Sequence, residues 1–382
     1  MNTTTLPVAA SGTITAGPEV EERPRVDADQ PLHNITEDPR YIGQSVERPS
    51  ARKLVQGQGT YIDDIELPRM AHVVYWRSPV AHCRIKGIDA SAARSMPGVI
   101  LVADGHDIAR VCKPWVSVLG HLAGMKSAPQ YPLAVDRACW QGEPVVAIVA
   151  ETREQAEDAL QVLQVDIEEL EPVVDMETAL AASTPLIHPE LGDNLCFTRS
   201  LDVGSVDDAF AKADAVVETT FEFGRHTGVT LEPRCQIADW SSADQKLTVW
   251  HSFQAPHMMQ DLYSRQFDLP ESSVRVICKE VGGSFGIKVH AYPDDFATVA
   301  LSMMCRRPVK FVADRLESFT SDIHARHHRV TARIGVKKSG EIVGFEMDDL
   351  TGIGPFSMFP RTSAIEGNQV VNLVGGPYKH QH

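Results

Sequence analysis

Nowhere in the 382 residues do the roughly 18 consecutive apolar residues of a membrane-spanning helix run together. The N-terminus, Met1-Asn2-Thr3-Thr4-Thr5-Leu6-Pro7, has neither a basic segment nor an apolar run, which argues against a secretory signal peptide. Seven cysteines, Cys83, Cys112, Cys139, Cys196, Cys235, Cys278 and Cys305, never stand as CxxC, which excludes most zinc or iron–sulfur sites built by this chain alone. Most of them fall inside apolar segments, so buried thiols in a reducing cytoplasm are expected. Positive charge is scarce too: 36 Lys and Arg against 51 Asp and Glu leave a formal charge of −15. Such a surface argues against nucleic acid and suits a neutral or cationic small molecule.

What is present is enough apolar material, 43% of residues, for real cores. At ~100–200 residues per domain the length predicts about two. Residues 1–40 are rich in Thr, Pro, Glu and Asp without an apolar period, and read as a disordered extension. From residue 41 to 167 strands and helices alternate, as a complete α+β domain would. Ala71–Trp76, Val99–Val102 and Val145–Ala150 read as strands, Asp89 opens a short helix, and Thr152-Arg153-Glu154-Gln155 is a capping box opening a helix through Leu163. Residues 168–190, broken by Pro172, Pro185 and Pro189, read as a linker.

A second domain is expected over residues 191–382. Ser205 opens a short helix, Val216–Phe223 alternates as a strand, Gln236–Trp240 and Leu247–Ser252 follow as strands, and Pro256 starts a helix to Phe267. Val274–Val281 then reads as a strand. After the glycine-rich run Gly282-Gly283-Ser284-Phe285-Gly286-Ile287-Lys288 a helix begins at Pro293, with Phe296, Val299, Ala300, Met303 and Met304 on one face. Strand, glycine turn and helix is a unit that brings free backbone N–H groups to a ligand. It is neither common nucleotide fingerprint. A dinucleotide motif ending on Gly286 needs glycine where Val281 stands, and a P-loop needs Gly-Lys-Ser/Thr where Ile287-Lys288-Val289 stands. A tight turn using glycine only for its backbone freedom accounts for the run equally well at this point.

Other polar clusters carry less. Glu232, in Leu231-Glu232-Pro233-Arg234, reads as half of a structural ion pair rather than an acid or base. His324-Ala325-Arg326-His327-His328-Arg329 reads as alternating solvent-facing residues on a strand, because no acidic or cysteine ligand accompanies it. Gly375–His382 looks like a turn leading into a further strand, so the chain reads as the N-terminal piece of something larger or half of a split subunit.

The order and spacing of Leu231–Arg234, Gln254-Ala255-Pro256 and the glycine run resemble the large, molybdenum-binding subunit of the xanthine dehydrogenase/aldehyde oxidase family, which includes aerobic carbon monoxide dehydrogenases and bacterial N-heterocycle hydroxylases. The resemblance covers most of the chain after about Ser45. Gly57–Asp64, Arg77–His82 and Met96–Val99 are similar to that family's α/β hammerhead domain, and the second half resembles its first molybdopterin-binding domain. The implied fold class is α+β: a hammerhead domain followed by an incomplete, truncated mixed α/β molybdopterin-binding domain.

The resemblance also implies roles. Gln254 matches the glutamine whose amide approaches an oxo ligand of molybdenum. Phe285, with Gly282, Gly283, Ser284 and Gly286, matches the turn that brings backbone close to metal and pterin, and Lys288 is implied as a structural or outlying cation. The implied cofactor is molybdenum–molybdopterin, in its plain or cytosine dinucleotide form, with Fe–S clusters and FAD on partner subunits. Val289 stands where purine hydroxylases carry a glutamate, so the substrate expectation moves to N-heterocycles, alkaloids, aldehydes or carbon monoxide.

Family chemistry implies hydroxylation with water as oxygen donor, helped by a glutamate base from a glycine-rich loop near the C-terminus of the full-length subunit. This chain has no such loop, so no catalytic residue is expected in it. A separate chain supplying the second molybdopterin domain is one expectation, and a non-catalytic scaffold or assembly module is the alternative. A cytoplasmic location and exposed apolar surface toward the C-terminus are expected in either case.

Overall fold

The computed structural model describes residues 45–379 apart from Val118, Arg326, Arg361 and Thr362, so the expected extension over residues 1–40 lies outside the described residues. The chain separates into two compact units, residues 1–58 and 59–382. The described part of the first holds one short helix, α1 (Ala51–Val55), closed by the Gln58 N–H on the Lys53 carbonyl at 3.0 Å.

Thirteen strands are described in the second unit. They are β1 (Ala71–Arg77), β2 (Cys83–Asp89), β3 (Val99–Asp104), β4 (Arg137–Ala138), β5 (Pro144–Ala150), β6 (Gln164–Glu169), β7 (Ala215–Phe223), β8 (Cys235–Ser241), β9 (Lys246–His251), β10 (Val274–Ile277), β11 (Val309–Val312), β12 (His328–Val336) and β13 (Ile342–Thr351). The helices are α2 (Ser91–Ser95), α3 (Gly105–Ile108), α4 (Arg153–Gln161), α5 (Val206–Ala211), α6 (Pro256–Gln266), α7 (Pro293–Cys305), α8 (Arg315–Ser321) and α9 (Ser363–Leu373).

Seven strands form one mixed sheet in the order β10-β9-β8-β11-β1-β5-β3. The two halves of the sequence meet where β1 pairs parallel to β11, Ala71 opposite Val309 and His72 opposite Lys310. Local patterning pointed to a first half complete in itself. The shared sheet instead has β1, β3 and β5 completing a core with the second half, while β2, β4 and β6 form a separate three-stranded sheet. The physical reason is visible in β5, whose seven residues are all buried and therefore need cover on both faces. Ala147 and Val149 join the core beneath α6 and α7, whereas Val146, Ile148 and Ala150 pack with Ala156 and Ala159 of α4.

Helix α7 departs from its amphipathic reading, because Pro293 through Ser302 are all buried. Two of its polar side chains, Thr298 and Ser302, are hydrogen-bonded inside the core. The Thr298 hydroxyl bonds the Asp294 carbonyl at 2.7 Å and meets the Tyr75 hydroxyl at 2.9 Å, and Ser302 donates to the Arg307 carbonyl at 2.9 Å. The expected start holds: Pro293 occupies the first turn and Asp295 Oδ2 accepts the Tyr292 N–H at 2.9 Å. The Thr152–Gln155 capping box is present as read, although α4 ends at Gln161.

A third sheet, β13-β12-β7, is antiparallel with β7 at its edge. Here the histidine reading is corrected. His328 is buried, not solvent-facing, and acidic partners do accompany it: its Nδ1 lies 2.9 Å from Asp349 Oδ1 and its Nε2 3.8 Å from Glu366. Those carboxylates lie 21 and 38 residues downstream, so no local pattern announces them. Glu366 is carried by helix α9.

Candidate functional site

The expected strand over Val274–Val281 is shorter than its pattern: β10 ends at Ile277, and the chain leaves the sheet before the glycines. It is caught at Gly282, whose N–H donates to Glu232 Oε2 at 2.7 Å and whose carbonyl accepts the Glu232 N–H at 3.2 Å. A Cβ at Gly282 would sit 2.4 Å from the Glu232 Cβ, so only glycine permits this approach. Gly283 and Gly286 take φ of +99° and +89°, which turn the backbone through the left-handed region.

Glu232 sits in a polar knot beneath the turn. Its Oε2 also accepts from Ser252 Oγ at 2.5 Å and from Lys288 Nζ at 2.9 Å, and Lys288 Nζ donates to Ser252 Oγ at 2.7 Å. Lys288 is 1% exposed. Burial alone would raise the Glu232 carboxyl, but the hydrogen bonds from Ser252, Gly282 and Lys288 and the lysine charge outweigh it and hold it below the usual carboxylate range. An anion so engaged is a structural anchor. Sequence reasoning expected Glu232 to pair with a neighbour but had no signal for Ser252, which comes from the end of β9, or for Lys288 as the partner.

Gln254 follows β9 and stands beside the turn. Its N–H donates to the Lys288 carbonyl at 3.0 Å, and its Oε1 accepts the Ser284 hydroxyl. The structure thus brings Gln254, Gly282, Gly283, Ser284, Phe285 and Gly286 into one loop cluster. With Oε1 taken by Ser284, the side-chain NH₂ is the group of Gln254 left to donate outward.

Phe285 is the residue that ordinary folding explains least. Its φ is +48°, a left-handed value that costs a side-chain-bearing residue of order 1 kcal/mol or more, and it is 79% exposed. Neither burial nor backbone preference places it there. Among the described residues, the N–H groups of Gly283, Ser284, Phe285 and Gly286 meet no protein acceptor. A cradle of neutral donors of this kind suits an oxo-metal centre and an anionic pterin, since it stabilises negative charge without adding a titrating group.

Behind the cradle lies a buried charge cluster. Arg234 Nη1 meets Asp294 Oδ2 at 2.6 Å, Arg234 Nε meets Asp322 Oδ1 at 2.6 Å, and its guanidinium lies 3.9 Å from the Tyr292 ring centroid. Arg77 reaches the other Asp294 oxygen at 3.1 Å. Burial acts to raise the Asp294 carboxyl, but the two guanidinium groups more than compensate and lower it. This cluster fixes the β8 end and the start of α7, which flank the cradle. A cavity of about 1440 Å³ is lined by other residues, among them His188, Phe356, Val370 and Val371, and by none of the cradle. In the cradle Phe285 and Gly286 are exposed, while Gly282, Gly283 and Ser284 are half-buried. No group of three or more His, Cys, Asp or Glu able to hold a metal ion occurs among the described residues.

A molybdopterin cofactor-binding domain matches residues 187–382, and the a/b hammerhead domain of aldehyde oxidase and xanthine dehydrogenase matches residues 56–171. The chain belongs to the xanthine dehydrogenase/aldehyde oxidase family. Within that family it is similar to the nicotine 6-hydroxylase large subunit of Paenarthrobacter nicotinovorans, at 34% identity over 325 residues, 85% of this chain and 40% of that protein. It is 32% identical over 317 residues to the carbon monoxide dehydrogenase large chain of Afipia carboxidovorans, 80% of this chain and 38% of that one. The structure of quinoline 2-oxidoreductase from Pseudomonas putida 86 superposes with a TM-score of 0.86 at 32% identity, over 89% of this chain and 43% of that one. The chain spans about two fifths of the length of these relatives. Among the described residues no helix is long and apolar enough to cross a membrane.

Proposed function

We propose that this chain forms the cofactor-cradling part of a molybdenum hydroxylase large subunit that oxidises an N-heterocycle, alkaloid or aldehyde with water as oxygen donor. The observation that carries the reading is the junction of Gln254 with the glycine cradle through Ser284 and Lys288. Molybdenum–molybdopterin, in plain or cytosine dinucleotide form, would supply two-electron oxidation with oxygen transfer when bound. The N–H groups of Ser284, Phe285 and Gly286 and the Gln254 carboxamide would hold it. Glu232, Lys288 and Ser252 keep that donor array in place. The electrons would pass to Fe–S and FAD partner subunits.

Glu232 takes no proton-transfer role here, because Ser252, Gly282 and Lys288 hold it as an anion. The carboxylate base would come from another part of the assembled large subunit. Val289, beside Lys288, presents no carboxylate to a purine, and the −15 charge suits a neutral or cationic substrate. The test is native purification of the tagged full chain, with molybdenum and pterin analysis and assays of N-heterocycle-dependent dye reduction. The reading expects near-stoichiometric molybdenum together with partner chains; a metal-free monomer from cells that make molybdopterin would overturn it.

A further inference from the structure

In the sheet β13-β12-β7 one face carries an ion-paired row over which Phe210 of α5 packs, and the other an apolar stretch that ends at the buried His328–Asp349 pair. Register puts Glu218 opposite Arg333 and Arg333 opposite Glu346, with salt bridges of 3.2 and 2.7 Å on the polar side. On the other side Val217, Ile334 and Phe345 form one row and Thr219, Ala332 and Met347 the next, with Phe221 opposite Val330. Helix α9 covers the β13 margin, where a Cβ at Gly367 would come within 3.1 Å of the Thr351 hydroxyl. The β7 margin is bare. All nine β7 residues are exposed, with Val217 at 55%, Phe221 at 51% and Phe223 at 55%.

Five of the nine β7 residues are apolar and Glu218 and Glu222 are its charges; without lysine, proline or a bulge, its outer N–H and C=O groups are left able to template another strand. The relatives carry roughly three fifths of their length outside the matched region, so the assembled large subunit has polypeptide to spare for this edge. We infer that β7 is completed by a strand from that remaining polypeptide of the large subunit, in the manner of strand addition at a sheet edge. The incoming strand is apolar at alternate positions, extending the Phe221 face, and neutral or basic at the others, beside Glu218 and Glu222. This rests on the proposed role in a larger large subunit, and it names where the rest of that subunit docks.

The experiment compares backbone hydrogen exchange across residues 215–223 in the isolated full chain and in the assembled native enzyme, with molybdenum content measured on the same sample. At least tenfold slower exchange in the assembly is expected. Val217→Lys/Phe221→Lys, at exposed positions that leave the chain's own thermal unfolding unchanged, should lower recovery of the assembly at least tenfold. Thr220→Ser, on the same face as Glu218 and Glu222, should leave recovery within twofold. Equal exchange in both states, protection already present in a homodimer of the chain, or normal assembly of the double variant would each overturn the docking inference. Those results leave the cofactor reading standing if molybdenum is present; a metal-free assembly with protected β7 would do the reverse.

Discussion

Gly282 and Glu232, 50 positions apart, bond each other twice: the glycine N–H to the carboxylate at 2.7 Å, and the glutamate N–H to the glycine carbonyl at 3.2 Å. The first cradle residue is therefore set by a side chain and a backbone from another loop, not by the strand that precedes it. Several consequences can be measured.

Gly282→Ala forces a Cβ to within 2.4 Å of the Glu232 Cβ, an approach that real atoms do not make. The cradle must shift, and cofactor content of the purified enzyme should fall at least tenfold. Gly224→Ala meets nothing within 4 Å and should leave content unchanged.

Removing one half of the Glu232–Lys288 pair leaves the other charge buried and unmatched. Glu232→Gln or Lys288→Met should each destabilise by about 3 kcal/mol, while the double variant should recover more than half of that, because loss of both charges removes the uncompensated one. Urea unfolding of the four proteins measures the cycle; additive losses would contradict the pairing. The pH sign follows from the lowered Glu232 carboxyl. Its contribution is present above the ordinary glutamate value of about 4.5 and is lost as pH falls through the lower folded value.

Glu143 should behave in the opposite sense. Burial, the largest influence, pushes its carboxyl up to about 8, although the Cys139 and Trp140 N–H groups and Arg137 pull it down. With the folded value above the unfolded one, its contribution is present below about pH 4.5 and is lost as pH rises toward 8. Wild type should lose stability relative to Glu143→Gln by up to ~1.4 kcal/mol per pH unit across that window. Urea midpoints from pH 5 to 8.5 would show it; parallel curves would contradict it.

What the sequence made legible was what is local. Alternation gave β1 and β9, a four-residue capping box gave the start of α4, and Pro256 and Pro293 marked α6 and α7. The glycine run was legible from its residue types, and Gln254 only through the resemblance to the family. The Gly282–Glu232 pairing, Ser252 under the cradle and the β1–β11 junction were not, since each joins segments 20 to 240 residues apart. The all-round burial of α7 was hidden for a related reason: Asp294 and Asp295 look like solvent-facing helix-start residues until Arg77, Arg234 and His251 are brought to them. Helix α9 escaped notice because Gly367 and Asn368 interrupt its apolar pattern.

Asp294 illustrates how much depends on those distant partners. Asp294→Ala leaves Arg77 and Arg234 without their shared carboxylate in the core. A loss of about 4 kcal/mol or failure to fold is expected, with Asp322→Asn milder because Arg234 keeps Asp294. Thermal unfolding and soluble yield distinguish the two.

The central claim is that the Gln254–Gly286 cluster holds molybdopterin, and the most direct measurement is molybdenum and pterin per chain in natively assembled enzyme, wild type against Gly282→Ala and Gln254→Ala. The account predicts near-stoichiometric cofactor in wild type, at least a tenfold loss in Gly282→Ala, and a smaller loss in Gln254→Ala, with partner chains retained in all three. Full cofactor content in Gly282→Ala, or none in assembled wild type, would contradict it.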